Sequence, residues 1–283
     1  MKLSSLVWLT TSNIGKCASI GLSGLLLIPT VSAASRGDEH ARRTNIDLSL
    51  GVEHYLWQEF DANGVRLLSE HGPRATLGGR VELDTGLRPL MVRVLGNAYI
   101  GVVDYDGQIR SDFDPTIHTF IGTETTYRGG QAELQVGFSG PALSFSALEL
   151  FVGAGVEGWT RDIGAGVDAG GVSTPKFRED YTVYYGRIGL GFEDTGNLLN
   201  ASFHVGAKLP YRVDEDFVVS SGSMTLHPAG QWSAFADYRL TLQRNFLEFY
   251  YEGLRFDPSP VKNTFFQPES TIDSYGIRLG REF

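Results

Sequence analysis

Three pairs of acidic residues, Asp104/Asp106, Asp112/Asp114 and Asp214/Asp216, are the first candidates for chemistry in this chain. Two neighbouring carboxylates can divide acid and base work between them, given a histidine or further acid close enough to share the proton. No histidine follows any pair in an Asp-x-His arrangement; the nearest, His118, lies four residues after Asp114, which Pro115 follows directly. Acidic loop residues without such a partner are ordinarily solvated. Ser202 and His204 share one face of a strand, but residues two apart on a strand stand about 7 Å from each other, too far to bond directly. His54 falls on the apolar phase of its strand near the rim, and His71, beside Glu70, falls in an expected loop. The stretch Asp104-Tyr105-Asp106-Gly107 starts like a calcium loop but lacks the third ligand position and the closing Glu, so it suggests weak divalent binding at most. These residues predict no catalytic centre, no metal site and no cofactor.

The elements that carry them repeat with a period of two. Apolar residues alternate with polar ones over Ile46 to Glu53, Ala75 to Leu83, Leu90 to Val102, Gln131 to Phe138, Leu148 to Glu157, Tyr184 to Phe192, Leu199 to Lys208, Trp232 to Leu240, Leu247 to Glu252 and Ser274 to Phe283. Alternation of this kind marks strands with one apolar face. The fourth run begins out of phase at Phe120 to Tyr127, which predicts a bulge near Arg128-Gly129-Gly130. Four connections are short: Asp84 to Leu87, Ser139 to Pro141, Asp194 to Asn197 and Gln243 to Asn245. Five are long and polar: about Glu59 to Pro73, Asp104 to Ile117, Arg161 to Asp180, Arg212 to Gly230 and Asp257 to Thr271. Long and short connections alternate, as in an antiparallel up-and-down transmembrane β-barrel of about ten strands, with both chain ends on the short-turn side.

The polar face carries both signs of charge. Arg80, Arg93, Arg187, Lys208, Arg239 and Arg278 share it with Glu53, Glu82, Glu133, Glu149, Glu157, Asp237, Glu248 and Glu252. In a narrow lumen unpaired charges are costly, so the mixture predicts a charge-paired network. Aromatics gather near the strand ends: Trp57, Trp159, Tyr184, Tyr211, Trp232, Tyr251 and Tyr275 towards the long loops, Phe138, Phe145, Phe192, Phe246 and Phe283 towards the short turns. Two such belts are expected at the membrane interfaces.

The last strand reads Tyr275-Gly276-Ile277-Arg278-Leu279-Gly280-Arg281-Glu282-Phe283. It resembles the terminal strand of Gram-negative outer-membrane β-barrel proteins, whose insertion signal is a final aromatic preceded by apolar residues at every second position. Tyr275, Ile277, Leu279 and Phe283 fit that pattern; Arg281 departs from it, near enough to the interface to snorkel. The resemblance implies insertion by the barrel-assembly machinery and contact with outer-membrane lipid and lipopolysaccharide. The omptin proteases are ten-stranded members of this class and use paired Asp residues and an Asp/His pair at the extracellular rim. This chain lacks their Asp-x-His arrangement.

The first 33 residues hold Lys2 and Lys16 as their only charges, an apolar run from Ala18 to Pro29, and Val31-Ser32-Ala33. That is the pattern of a secretory signal peptide. The expected layout is therefore residues 1–33 signal peptide, 34–44 a short periplasmic arm, and 45–283 the barrel. The one cysteine, Cys17, falls in the leader, which excludes disulfides and thiol chemistry from the mature part. Removing the two leader lysines from 24 basic residues leaves 22 against 33 acidic ones, a net charge of −11 that repels nucleic acid. Four functions stay open: a structural or interaction barrel with a largely side-chain-filled lumen, a small or gated channel, a rim-sited hydrolase, and a soluble lipocalin-like binder. A monomer is favoured.

Overall fold

In the computed structural model the described residues are 44–283 apart from 86–88, 111–117, 144–145, 168–170, 172, 196–198, 220–221 and 263–264. The expected leader and nearly all of the arm lie outside them. Ten long strands form the barrel: β1 (Thr44–Phe60), β2 (Arg66–Asp84), β3 (Leu90–Arg110), β4 (His118–Leu143), β5 (Ser146–Ile163), β6 (Phe177–Thr195), β7 (Leu199–Val219), β8 (Ser233–Leu242), β9 (Asn245–Phe256) and β10 (Glu269–Glu282). Each pairs antiparallel with its neighbours in sequence, and β1 pairs β10, Leu50 opposite Leu279. The sheet therefore closes on itself, and no barrel strand is left with an unpaired edge. Short strands at Gly166–Val167, Ser173–Thr174, Gly222–Leu226 and Gly230–Gln231 extend the end opposite the tight turns. Among the described residues no helix is long and apolar enough to cross a membrane, which says nothing of strands.

Polarity is inverted relative to a soluble core. Leu50, Leu77, Ile100, Leu134 and Leu279 face outward, each more than half exposed, while Arg93, Glu133, Glu149 and Lys208 are buried inside. This apolar outer belt covers the half of the barrel nearer the turns. Beyond it the faces exchange character. In β3, Val102 points outward and Val103 inward; in β5, Val156 points outward and Trp159 and Ile163 inward. In β9, Phe249 lies outside and Leu254 and Phe256 inside. At this loop end the apolar residues close the lumen and the polar ones face out.

That exchange accounts for the differences from the sequence-based expectations. There is no bulge at Arg128-Gly129-Gly130: β4 pairs without a register shift from His118 to Pro141 against its neighbours. Its first half looked out of phase because Ile121, Thr125 and Tyr127 turn inward while Glu124, Thr126 and Arg128 turn outward. The first seven strands also run far past the roughly 9–11 residues a crossing needs, β4 reaching 26. The first expected loop, Glu59 to Pro73, contracts to Asp61–Val65, because Arg66 to Pro73 is strand. Asp61 closes it, its carboxylate accepting from the Asn63 and Val65 amides at 2.8 Å, and Gly64 supplies φ +76°. The expected turn at Ser139 to Pro141 is strand too, with Pro141 paired to Ala147. In the Gln243-Arg244 turn, Gln243 adopts φ 59°. A bulge does occur in β7, where Tyr184 and Tyr185 face Arg212 and Pro210 and skip Tyr211.

Candidate functional site

The site is the lumen, which three layers of side chains fill. Nearest the turns an alternating chain of charges crosses the barrel. Glu149 takes both ends of the Arg93 guanidinium at 2.5 and 2.6 Å. Arg93 Nε reaches Glu82 at 2.7 Å, which Arg80 also meets at 2.7 Å. Arg80 stands 3.8 Å from Asp47, Asp47 accepts from Arg239 at 2.6 Å, and Arg239 donates to Glu248 at 2.7 Å. Arg278 completes the chain on the other oxygen of Glu248 at 3.1 Å. Bidentate contacts of this type are the stronger ones in a low-dielectric interior. Each cation thus answers an anion from a different strand, and removing either leaves a buried charge uncompensated.

The middle layer is built the same way. Arg187 pairs with Glu252 and stands 3.4 Å from Glu133. Lys208, fully buried, donates to Glu252 at 2.7 Å and to Glu157 at 3.2 Å. Tyr185 and Tyr99 cap Glu133 and Glu157 at 2.8 and 3.0 Å. Arg74, absent from the sequence-based set, is held by Glu53 at 2.6 Å, and its guanidinium lies 3.8 Å from the Tyr55 ring centre and 4.0 Å from that of Tyr99. Asp237 bonds His204, Nδ1 to Oδ1 at 2.8 Å, and lies within the field of Arg239 and Arg80. A cavity of about 130 Å³ lies among these two layers. That is small beside the roughly 300–1,000 Å³ of a typical ligand pocket.

The third layer closes the loop end. Trp57, Trp159, Tyr181, Tyr55, Tyr127, Leu68, Val183 and Phe256 pack together, all at most 7 % exposed. Trp159 stacks on Tyr181 at 4.8 Å between ring centres, and Trp57 meets Tyr181 edge-on at 5.2 Å. Arg161 is set into this layer with Glu179 at 2.5 Å, Glu70 at 3.0 Å and Glu59 at 3.6 Å. Tyr127 and Thr125 donate to Glu70, and Gln267 donates to Glu59 at 3.1 Å. Glu215 points into the same layer from the part of β7 that stands clear of the apolar belt. One of its oxygens is buried without a hydrogen-bond partner. Burial, with Glu179 and Glu59 nearby, holds its carboxyl well above the usual carboxylate range.

This layer corrects several expectations. Trp57 and Trp159, expected at a membrane interface, lie inside, because strand parity points them into the lumen. Phe246 also faces inward, 4 % exposed, over Gly280. Tyr211, Trp232, Tyr275, Phe138, Phe192 and Phe283 do lie on the outer surface, and Phe145 falls outside the described residues. Glu70, taken for a loop neighbour of His71, is the fully buried hub of the Arg161 cluster. Its signal was present in the alternation of Leu68, Glu70, Gly72 and Arg74, hidden by the charge it carries. The Asp104–Gly107 stretch is extended in β3, with alternate side chains on opposite faces, and cannot wrap an ion. Asp112 and Asp114 are outside the described residues. Asp214 meets His227 at 3.0 Å on the outer face of the rim, where Arg212 shares the same carboxylate at 2.8 Å.

Solved structures share this architecture. The outer membrane protease OmpT of Escherichia coli superposes with a TM-score of 0.54 at 14% identity, over 87% of this chain and 99% of that one. An outer membrane channel of Pseudomonas putida F1 matches at TM-score 0.37 and 9% identity, over 88% and 100% of the two chains. Ail, the attachment invasion locus protein of Yersinia pestis, matches at 0.30 and 13%, over 85% and 99%. The fold is that of Gram-negative outer-membrane β-barrels. No family model matches the sequence, and no curated protein does. A likeness at 14% identity shows the fold and selects no role.

Proposed function

We propose that the protein is a non-enzymatic outer-membrane β-barrel with a plugged lumen and a structural or interaction role at the cell surface. The observation that carries this reading is the layer of Trp57, Trp159, Tyr181 and Arg161 that fills the loop end. Water and solutes would have to displace an aromatic cluster anchored by a buried cation and three carboxylates. The outer belt of Leu50, Leu77, Ile100 and Leu279 supports a bilayer location, since so continuous an exposed apolar surface is not left to water. In this reading residues 1–33 are a cleaved export signal and the loop end faces outward. The outward row Tyr275, Ile277, Leu279 and Phe283 is presented to the barrel-assembly machinery. Charged side chains above the belt, such as Arg128 and Arg212, stand where lipopolysaccharide headgroups would lie. A closed sheet with no pairing edge favours a monomer. Outer-membrane fractionation, with boiled and unboiled gel lanes, tests the class. Recovery with the outer membrane and slower migration after boiling is expected; a soluble periplasmic protein of unchanged mobility would overturn it.

A further inference from the structure

One row of the barrel wall has a feature that the charge network does not use. Across four adjacent strands, Glu149 pairs with Gly191, Gly191 with His204 and His204 with Asp237. All four positions face the lumen. Asp237 takes Nδ1 of His204 at 2.8 Å on the β8 side. A carboxylate only accepts, so Nδ1 carries the proton there, and the free valence of the ring, a lone pair in the neutral imidazole, is Nε2 on the β6 side. His204 is 6 % exposed, and its Nε2 is buried without any hydrogen-bond partner. Buried polar atoms are rarely left unmatched, and each one calls for an explanation.

Gly191 keeps the space beside that nitrogen open. A Cβ there would lie 3.1 Å from Nε2, 2.7 Å from the neighbouring ring carbon and 3.2 Å from the Glu149 Cβ. Glu193, two residues along the same face of β6, brings a second carboxylate. Ligand atoms of Glu149, Glu193 and His204 lie within 4.8 Å of one another. Among the described residues Glu193 has no hydrogen bond or ion pair, and Phe151 packs edge-on against the imidazole at 5.9 Å.

We propose that His204, Glu149 and Glu193 bind a divalent first-row transition-metal ion of the zinc class near the turn end of the lumen. The imidazole nitrogen excludes the hard, all-oxygen preference of calcium and magnesium, and two carboxylates beside one imidazole suit zinc, cobalt or manganese. Tetrahedral bonds of roughly 2.0–2.2 Å to each donor place ligand atoms about 3.4 Å apart. A side-chain rotation of the part-buried Glu193, which no hydrogen bond holds in place, closes the remaining gap. Asp237 is the orienting partner, fixing the tautomer as carboxylates do behind metal-bound histidines. Arg93 stays bidentate on Glu149, whose oxygens each keep a lone pair for the ion. Lumen water completes the coordination.

The test uses the full chain purified in detergent, stripped with chelator and titrated with Co²⁺, whose visible spectrum reports the ligand set. One Co²⁺ per chain is expected, with affinity falling at least tenfold in both His204→Ala and Glu193→Gln. Gel mobility before and after boiling checks that each variant is folded, and Glu193→Gln disturbs no existing bond should His204→Ala fail to fold. Absence of visible absorption in the wild type, or binding that a folded variant leaves within tenfold, overturns the proposal.

Discussion

Arg161 is the position where the account of the plugged lumen is most exposed to test. Its guanidinium stands within 4 Å of Glu59, Glu70 and Glu179 and lies over the Trp57 ring at 4.6 Å. Arg161→Met keeps much of the volume and removes the cation, leaving three buried carboxylates facing one another. Breaking a buried ion pair from one side costs about 3–5 kcal/mol. A loss near 4 kcal/mol, roughly a thousandfold in the folding equilibrium, is therefore expected. Urea unfolding of the protein refolded in lipid vesicles measures it, with tryptophan emission as the signal because Trp57 and Trp159 sit in this layer. The triple variant Arg161→Met, Glu70→Gln, Glu179→Gln removes the cation and two of the three stranded charges, leaving only Glu59, which Gln267 still bonds. It should regain more than half of the loss, since replacing most of a buried network is milder than removing one side of it. A single variant that loses less than about 1 kcal/mol, or a triple variant no better than the single, would refute the reasoning.

Three further outcomes follow from the same geometry. In vesicles of brominated lipid, Trp232→Phe should abolish most of the bromine-dependent quenching, because Trp232 lies on the outer face at 61 % exposed while Trp57 and Trp159 are enclosed; equal loss in Trp57→Phe would contradict the inward placement. Glu215 has a folded pKa above its unfolded one, so stability is whole below the unfolded value and drains as pH rises towards the folded value. Glu215→Gln should flatten the dependence of the urea midpoint between pH 5 and 8, at no more than about 1.4 kcal/mol per pH unit, and parallel wild-type and variant curves would count against a neutral buried carboxyl. Gly206→Ala should lower stability by about 1–3 kcal/mol through overpacking, since its Cβ would enter the backbone carbonyl of Ile188 and the Phe235 ring; an unchanged unfolding midpoint would show that the strands can part there.

The barrel was legible because its turn-side half obeys one rule. Leu48, Leu50 and Val52 against Asp47, Ser49 and Glu53 is a lipid-facing pattern that needs no tertiary information to read. Arg80, Glu82, Arg93 and Glu149 could be assigned to the interior by parity alone. The loop-side half was misread because the rule reverses there without any break in the strand. Once the outside is water and the inside is packed, Tyr127, Trp159 and Val183 belong to the lumen and Arg128, Asp162 and Arg178 to the surface. A reading that expects one apolar face throughout sees bulges and long loops instead. Which cation meets which anion was not legible at all. Arg93 reaches Glu149 across 56 positions and Arg239 reaches Asp47 across 192, separations that closure of the sheet sets and periodicity does not. The His204–Asp237 contact was hidden for the same reason: strand register, not spacing along the chain, brings it together.

Single-channel recording of the protein reconstituted in a planar bilayer tests the central claim most directly. A lumen sealed by Trp57, Trp159, Tyr181 and Arg161 predicts no steady conductance in the wild type. It also predicts measurable current once Trp57 and Trp159 are both replaced by alanine in a protein that still migrates as folded. A sustained open current through the unaltered barrel would contradict the account.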